Sequence, residues 1–288
     1  GFFYRNNFKK ELNLIEVYLD NLNIELILKS VQKISEERYF IILVYYKMYL
    51  ALRFNDSSKN YLEFKNLLTE KDKCFHVNEK RILYNFLETA LTVNSEINAS
   101  GRDYFEIDRL RSEKGILIDS KNNISFNEFT NIVKTASSLK EISFIENFVK
   151  TNHIYIPATV REYAVNYSMA YLYNLKKDYD KSIEMINSFL MDNYECKVDL
   201  KTLQIRNYFE KSDFVTIGFL IDSFKHYLTS EAVQDIYITA YQNFSKYLLR
   251  LIKIKENPDI SKLTIIKKEI LNDQVALTYW LLEKIEEL

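Results

Sequence analysis

Glycine and proline are scarce in this chain, with four and two in 288 residues. Sheet proteins and phosphate-cradling loops need glycine where the backbone takes positive φ. Their scarcity therefore points to helices joined by short Asn, Asp, Ser and Lys turns. Cysteine is as thin: Cys74 and Cys196 stand far apart with no paired spacing. That excludes a disulfide framework and fits reduced thiols in a cytoplasmic protein. No secretory leader is visible. Long apolar runs are missing too. The most apolar stretch, Tyr39–Leu52, is interrupted by Lys47 and closed by Arg53. It falls short of the roughly 20 residues that a membrane helix needs, and is expected to be a buried helix. No charge sign dominates: 39 basic and 40 acidic residues nearly cancel, so no global field favours nucleic acid or an anionic membrane.

Signatures of chemistry are missing as well. The histidines, His76, His153 and His226, are scattered, and no helical His-Glu-x-x-His occurs. There is no glycine-rich phosphate loop, no Gly-x-Ser-x-Gly elbow and no paired-cysteine motif. The one local cluster, Asp72, Cys74, His76 and Glu79, matches no zinc-ligand spacing and reads as a solvated linker before a helix. The carboxylates sit on alternating charged faces such as Glu283, Glu286 and Glu287. The expectation is a non-enzyme with no cofactor and no metal.

What the chain does have is aromatic mass, 22 Tyr and 19 Phe, alongside abundant Ile, Lys and Asn. An AT-rich coding sequence gives that mixture, with aromatics filling core positions. It also has a repeat. An aromatic-rich helical run ends at Lys176-Lys177, turns at Asp178-Tyr179 and re-enters a helix; Lys211-Ser212-Asp213-Phe214 repeats the junction 35 residues later. That spacing is about one helix–turn–helix unit of a solenoid. Tyr179, Ile183, Ile186 and Leu190 make one apolar stripe, and Phe214, Ile217, Ile221 and Phe224 another. A helix pair of this size cannot bury its stripe alone and must stack on its neighbours.

Along the chain, a first amphipathic helix from Asn7 to about Leu22 carries Leu12, Ile15, Val17 and Leu19, and Ile24–Ile34 is its short partner. Ser35 caps the next helix, with Glu36 and Glu37 in its first turn. Tyr61, Phe64, Leu67 and Leu68 mark another face, and further helices span about Asn78–Val93 and Tyr104–Lys114. Residues 114–125 form the longest irregular connection and the expected seam, with Gly115 at a helix C-terminus. Ser125 and Glu128 make a capping-box pattern. Residues 126–152 hold two helices around Ser137-Ser138. The clearest repeats are 161–196 and 197–229. Long helices follow over about Ser230–Lys255 and Ile260–Leu271, and residues 272–288 cap the end, with Val275, Leu281, Leu282, Ile285 and Leu288 inward and Lys284 among the wet-side charges. The expected fold is all-α: one superhelical array over 1–288, of about seven helix pairs and a capping helix. If Trp280 and Leu281 were exposed, the end of the array would be a self-association site, so a homo-oligomer stays open.

The Arg161–Asn193 unit resembles a tetratricopeptide repeat. Tyr167, Met169, Ala170 and Tyr173 fill the first-helix pattern, Asp178-Tyr179 the turn, and Ser182 the small residue of the second helix. Phe189, Tyr194 and Ile217 depart from it by replacing small or proline positions, which implies wider packing and leaves the pitch open. More broadly, "SEKGILID", "FTNIVKTASSLKE", "KKDYDKSIEM", "LIDSFKHYL" and "WLLEKIEEL" resemble the C-terminal part of a group of bacterial tetratricopeptide-like proteins. Members of that group are longer at the N-terminus, implying a native chain that extends before Gly1. The resemblance supports a helical-repeat fold and supplies no reaction or ligand.

In such stacks the first helix of each pair lines a concave groove. By motif position Tyr167, Tyr171 and Asn174 face it from one unit, and Thr202, Arg206 and Glu210 from the next. Tyr and Arg commonly carry interface energy. The expected function is a non-catalytic scaffold for a protein or peptide partner. The alternative is a regulatory module binding nucleic acid or a small ligand in the groove. For nucleic acid the local argument is Lys246, Arg250, Lys253, Lys255, Lys262, Lys267 and Lys268, a strip better accounted for by solvated helix-face stems and diluted by Glu256, Asp259 and Glu269.

Overall fold

A computed structural model describes residues 21–55, 57–189, 193–230 and 235–288. The expected helix carrying Leu12 to Leu19 lies outside the described residues, as does Leu190 of the second-helix stripe. Among the described residues every regular element is helical, and there is no strand. The chain divides into two compact units, residues 1–168 and 169–288.

The first unit holds α1 (Ile24–Gln32), α2 (Glu36–Arg53), α3 (Ser58–Lys71), α4 (Val77–Val93), α5 (Gly101–Glu113), α6 (Phe126–Ser138) and α7 (Ile142–Asn152). It also holds most of α8 (Ala158–Leu175), within which the division falls. From α1 to α7 each helix packs on the next in chain order, α5 and α6 being joined by the loop 114–125, and α2 also touches α4. The core buries Phe64, Leu68, Leu83, Tyr84, Leu87, Leu91 and Ile107. Helix α2 forms where expected, and the Ser35 hydroxyl accepts from the Arg38 amide. It is nevertheless not a buried helix: only Val44 and Ala51 are fully covered, and most of its other residues are half-buried.

The second unit holds α9 (Tyr179–Asn187), α10 (Tyr194–Glu210), α11 (Phe214–Ser230), α12 (Asp235–Glu256), α13 (Ile260–Asn272) and α14 (Thr278–Glu287). Phe209, Ile217, Ile221, Phe224, Phe244, Leu251, Ile266 and Leu281 form its core. Trp280 is buried edge-on against Phe209, ring centroids 5.3 Å apart, so neither it nor Leu281 is an exposed terminal patch. Lys284 departs from the wet face expected of it. It is buried, with Nζ 2.6 Å from Glu210 and 2.8 Å from Glu287.

Three helix ends share one backbone form. Lys140, Lys177 and Ser212 each take positive φ, at 59°, 63° and 57°. At these junctions the amides of Glu141, Asp178 and Asp213 donate to the carbonyls of Ala136, Tyr173 and Tyr208, five residues back. The amides of Lys140, Lys177 and Ser212 donate three residues back, to Ser137, Asn174 and Phe209. This paired bonding is a Schellman termination, and at all three it uses a residue other than glycine. Asp178 and Asp213 then cap the following helices by accepting from the amides of Lys181 and Thr216.

Candidate functional site

The six groove candidates lie mostly inside the protein. Tyr167, Tyr171, Thr202 and Arg206 are buried. The Arg206 guanidinium sits 5.9 Å from the Tyr171 ring centroid, and the Thr202 hydroxyl donates to the Asp199 carbonyl. Asn174 and Glu210 are half-buried and engaged. Asn174 donates to the Oδ1 of Asn207 at 2.7 Å, fully buried Asn207 donates to Ser182, and Ser182 donates to the Ala170 carbonyl. Glu210 holds Lys284. As the chain is folded, these residues join helices and offer a partner little surface. The physical reason is phase: on α10 the positions 198, 202, 205, 206 and 209 face inward.

The next face of α10 is open. Lys197, Lys201 and Gln204 recur at the four- and three-residue steps that bring side chains onto one helix face. With Ile186, Asn187, Phe189, Leu200 and Tyr227 they line a cleft of about 390 Å³. Its floor is apolar, and among the described residues its lining contains two lysines and no carboxylate. The Lys201 ammonium lies 5.1 Å from the Tyr227 ring centroid, and Tyr227 stacks on Tyr194 at 5.5 Å. Burial first, and then the neighbouring Lys197 charge, holds the Lys201 ammonium below the usual lysine range. Among the described residues no carboxylate lies within ion-pair distance of Lys201.

A second cleft, of about 460 Å³, belongs to the first unit and is polar. Three helical stripes build it: Arg81, Asn85 and Glu88 from α4; Tyr104, Asp108 and Arg111 from α5; Glu128, Ile132 and Thr135 from α6. Each steps through two helical turns on one face. At its centre the Arg111 side chain, 6% exposed, contacts three carboxylates. Glu128 is the tightest, Asp108 lies at 3.4 Å and Glu88 at 3.7 Å. The Arg111 Nε is buried with no hydrogen-bond partner. Burial, reinforced by Glu88 and Glu128 against the pull of Arg111, pushes the Asp108 carboxyl up to about 7.

Sequence reasoning missed both clefts. The signal for the first was present, since Lys197, Lys201 and Gln204 are a polar stripe at helical spacing. The second had none, because its charges come from helices distant in sequence. Residues weighed for other chemistry are engaged elsewhere. Asp72 pairs with Lys114, and Glu79 accepts from the Tyr45 hydroxyl and the His76 amide. In the basic strip, Arg250 pairs with Glu269, Lys262 with Asp259 and Lys267 with Glu286, and Lys255 covers Phe209.

No protein-family model, curated protein or solved structure matches the chain. Among the described residues no helix is long and apolar enough to cross a membrane.

Proposed function

We propose that this chain is a non-catalytic peptide-binding scaffold of tetratricopeptide-like helix pairs, working in the cytoplasm, and that its second unit takes an extended acidic segment of a partner protein. The observation that carries this reading is the cleft along α10, with two lysines over an apolar floor and, among the described residues, no carboxylate in the lining. A carboxylate entering it would give the Lys201 ammonium a counter-charge and lift the penalty that burial and Lys197 impose. From Lys197 to Gln204 the helix rises about 10 Å, which spans about three residues of extended chain. Chain-order packing of the helices and three like-terminated junctions support the repeat reading.

Fluorescence anisotropy of the full chain with short labelled peptides tests this. Acidic peptides with one or two apolar residues should bind, and basic ones of equal length should not. Lys201→Met should weaken binding by about tenfold or more, the scale of one lost charge-assisted hydrogen bond. Equal binding of acidic and basic peptides, or no change in Lys201→Met, refutes the assignment. A single-stranded oligonucleotide in the same assay addresses the nucleic-acid alternative. Binding that is steeply salt-dependent and lost on neutralising Lys253 and Lys255 would favour it.

A further inference from the structure

Four covered lysines show what this chain does with a sheltered ammonium. Lys47 meets Glu63, Lys65 meets Glu106, Lys114 meets Asp72 and Lys284 meets Glu210. A carboxylate partner holds the nitrogen protonated and so withdraws it from chemistry. Lys201 is placed differently. Among the described residues no carboxylate reaches it, and the Tyr227 ring, 5.1 Å from its nitrogen, is the contact that positions it. A ring offers an ammonium less than an anion does, and it occupies no lone pair of the neutral amine. Burial, and then the Lys197 charge one turn earlier, both favour that neutral form, which is the nucleophile. Lys201 also lines the cleft of about 390 Å³, a volume within the range of small-molecule sites. The rest of the lining suits a small activated acid. Lys197 supplies charge for an anionic leaving group, and the apolar floor around Phe189 supplies room for a short acyl chain.

We propose that Lys201 is a modification site, acylated in this cleft by a small acyl phosphate, and that the acyl group closes the cleft to acidic segments. The second half rests on the peptide-binding reading; the first does not. The neutral Lys201 Nζ attacks the acyl carbon, a C–N bond forms, and the C–O bond to phosphate breaks. Phosphate leaves with that electron pair beside Lys197, and the proton lost from nitrogen passes to water. No oxidant or reductant enters. The product is an amide without charge, so an incoming acidic segment meets one ammonium in the cleft instead of two.

Acetyl phosphate added to the full chain tests this, with acetylation at each lysine followed in time by peptide mass spectrometry. In the folded chain Lys201 should react at least about fivefold faster than Lys73 and Lys268, which are exposed. In urea the preference should vanish, because the cleft that creates it is gone. Lys197→Gln should slow the reaction at Lys201 and leave the rates at Lys73 and Lys268 unchanged, which also reports an intact fold. Uniform rates in the folded chain, a preference that survives unfolding, or a Lys201 rate untouched by Lys197→Gln overturns the acylation site. Fluorescence anisotropy judges the consequence. Chain made with an Nε-acetyl group installed on Lys201 should bind an acidic peptide about tenfold more weakly than unmodified chain. Equal binding overturns the regulatory half. Absence of binding by unmodified chain refutes the peptide reading and the regulatory half with it, while the mass spectra decide the acylation site on their own.

Discussion

Replacing Asp108 by asparagine should stabilise the free protein most at pH 8 and by less than half as much at pH 5. In the fold the carboxyl is pushed from 3.8 to about 7, with burial the largest cause. The folded state therefore keeps a proton that the unfolded chain releases. Between those two values the native state binds more protons, so stability falls as pH rises through the window and levels off above about 7. A displacement of about 3 units at 1.36 kcal/mol each sets an upper bound of about 4 kcal/mol. Relaxation of the site brings the expected gain in Asp108→Asn at pH 8 to about 2–4 kcal/mol. The attraction of Arg111 is already contained in the net shift, and the amide keeps the shape of the neutral acid. Urea unfolding followed by circular dichroism at pH 5, 6, 7 and 8 gives the difference between variant and wild type, in which all other titrations cancel. Hydrogen exchange of peptides from α4, α5 and α6 places the change in the first unit. A variant less stable than wild type at pH 8, or a difference independent of pH, would show that Asp108 is ionised throughout and held by Arg111 as an ordinary ion pair.

Ser212→Gly and Lys177→Gly should each raise stability by about 0.5–1 kcal/mol in the same melts, because glycine takes the positive φ of these junctions without steric cost. Asn207→Leu should cost about 2–3 kcal/mol, since it strips the Asn174 amide of its acceptor and Ser182 of its donor at a fully buried position. Lys201→Met should raise the stability of the free chain near neutral pH while weakening capture of acidic peptides. The wild-type ammonium is disfavoured in the fold, so stability climbs with pH between its lowered pKa and 10.5, a slope that methionine removes.

The all-helical class was legible because it rests on local physics. Four glycines and two prolines leave little room for sheet turns, and Ser35, Asp178 and Asp213 announce helix starts that the structure keeps. Periodicity also placed the stripe from Ile217 to Phe224 inside correctly. It failed where a helix has more than one covered side. Helix α10 buries ten of its 17 residues, among them Asp199, Thr202, Arg206 and Asn207. Polarity is then no guide to exposure, and a groove phase drawn through Thr202 and Arg206 lands in the interior. Lys284 misled in the same way, because its neighbours in sequence are wet while its partner, Glu210, is 74 positions earlier.

Glu128 shows most plainly why the first-unit cleft could not be read from sequence. Three residues after Ser125, it carries the signature of a reciprocal capping box, in which its carboxylate would return to the Ser125 amide. Half of that box forms: the Ser125 hydroxyl accepts from the Glu128 amide at 3.2 Å. The carboxylate goes to Arg111 instead. A neutral amide at a helix start offers one ordinary hydrogen bond, whereas a buried guanidinium offers a charge-assisted one. The competition is decided by a residue 17 positions away on another helix, and the same diversion gathers Glu128, Asp108 and Glu88 around one cation. Substituting Glu128 by glutamine would keep the local cap and remove one anion. It should relieve the charge excess and lower the Asp108 pKa from about 7, readable as a downward shift in the pH midpoint of the stability difference between Asp108→Asn and its parent. An unmoved midpoint would mean that Glu128 does not act on the Asp108 proton, and that the three carboxylates do not act as a group.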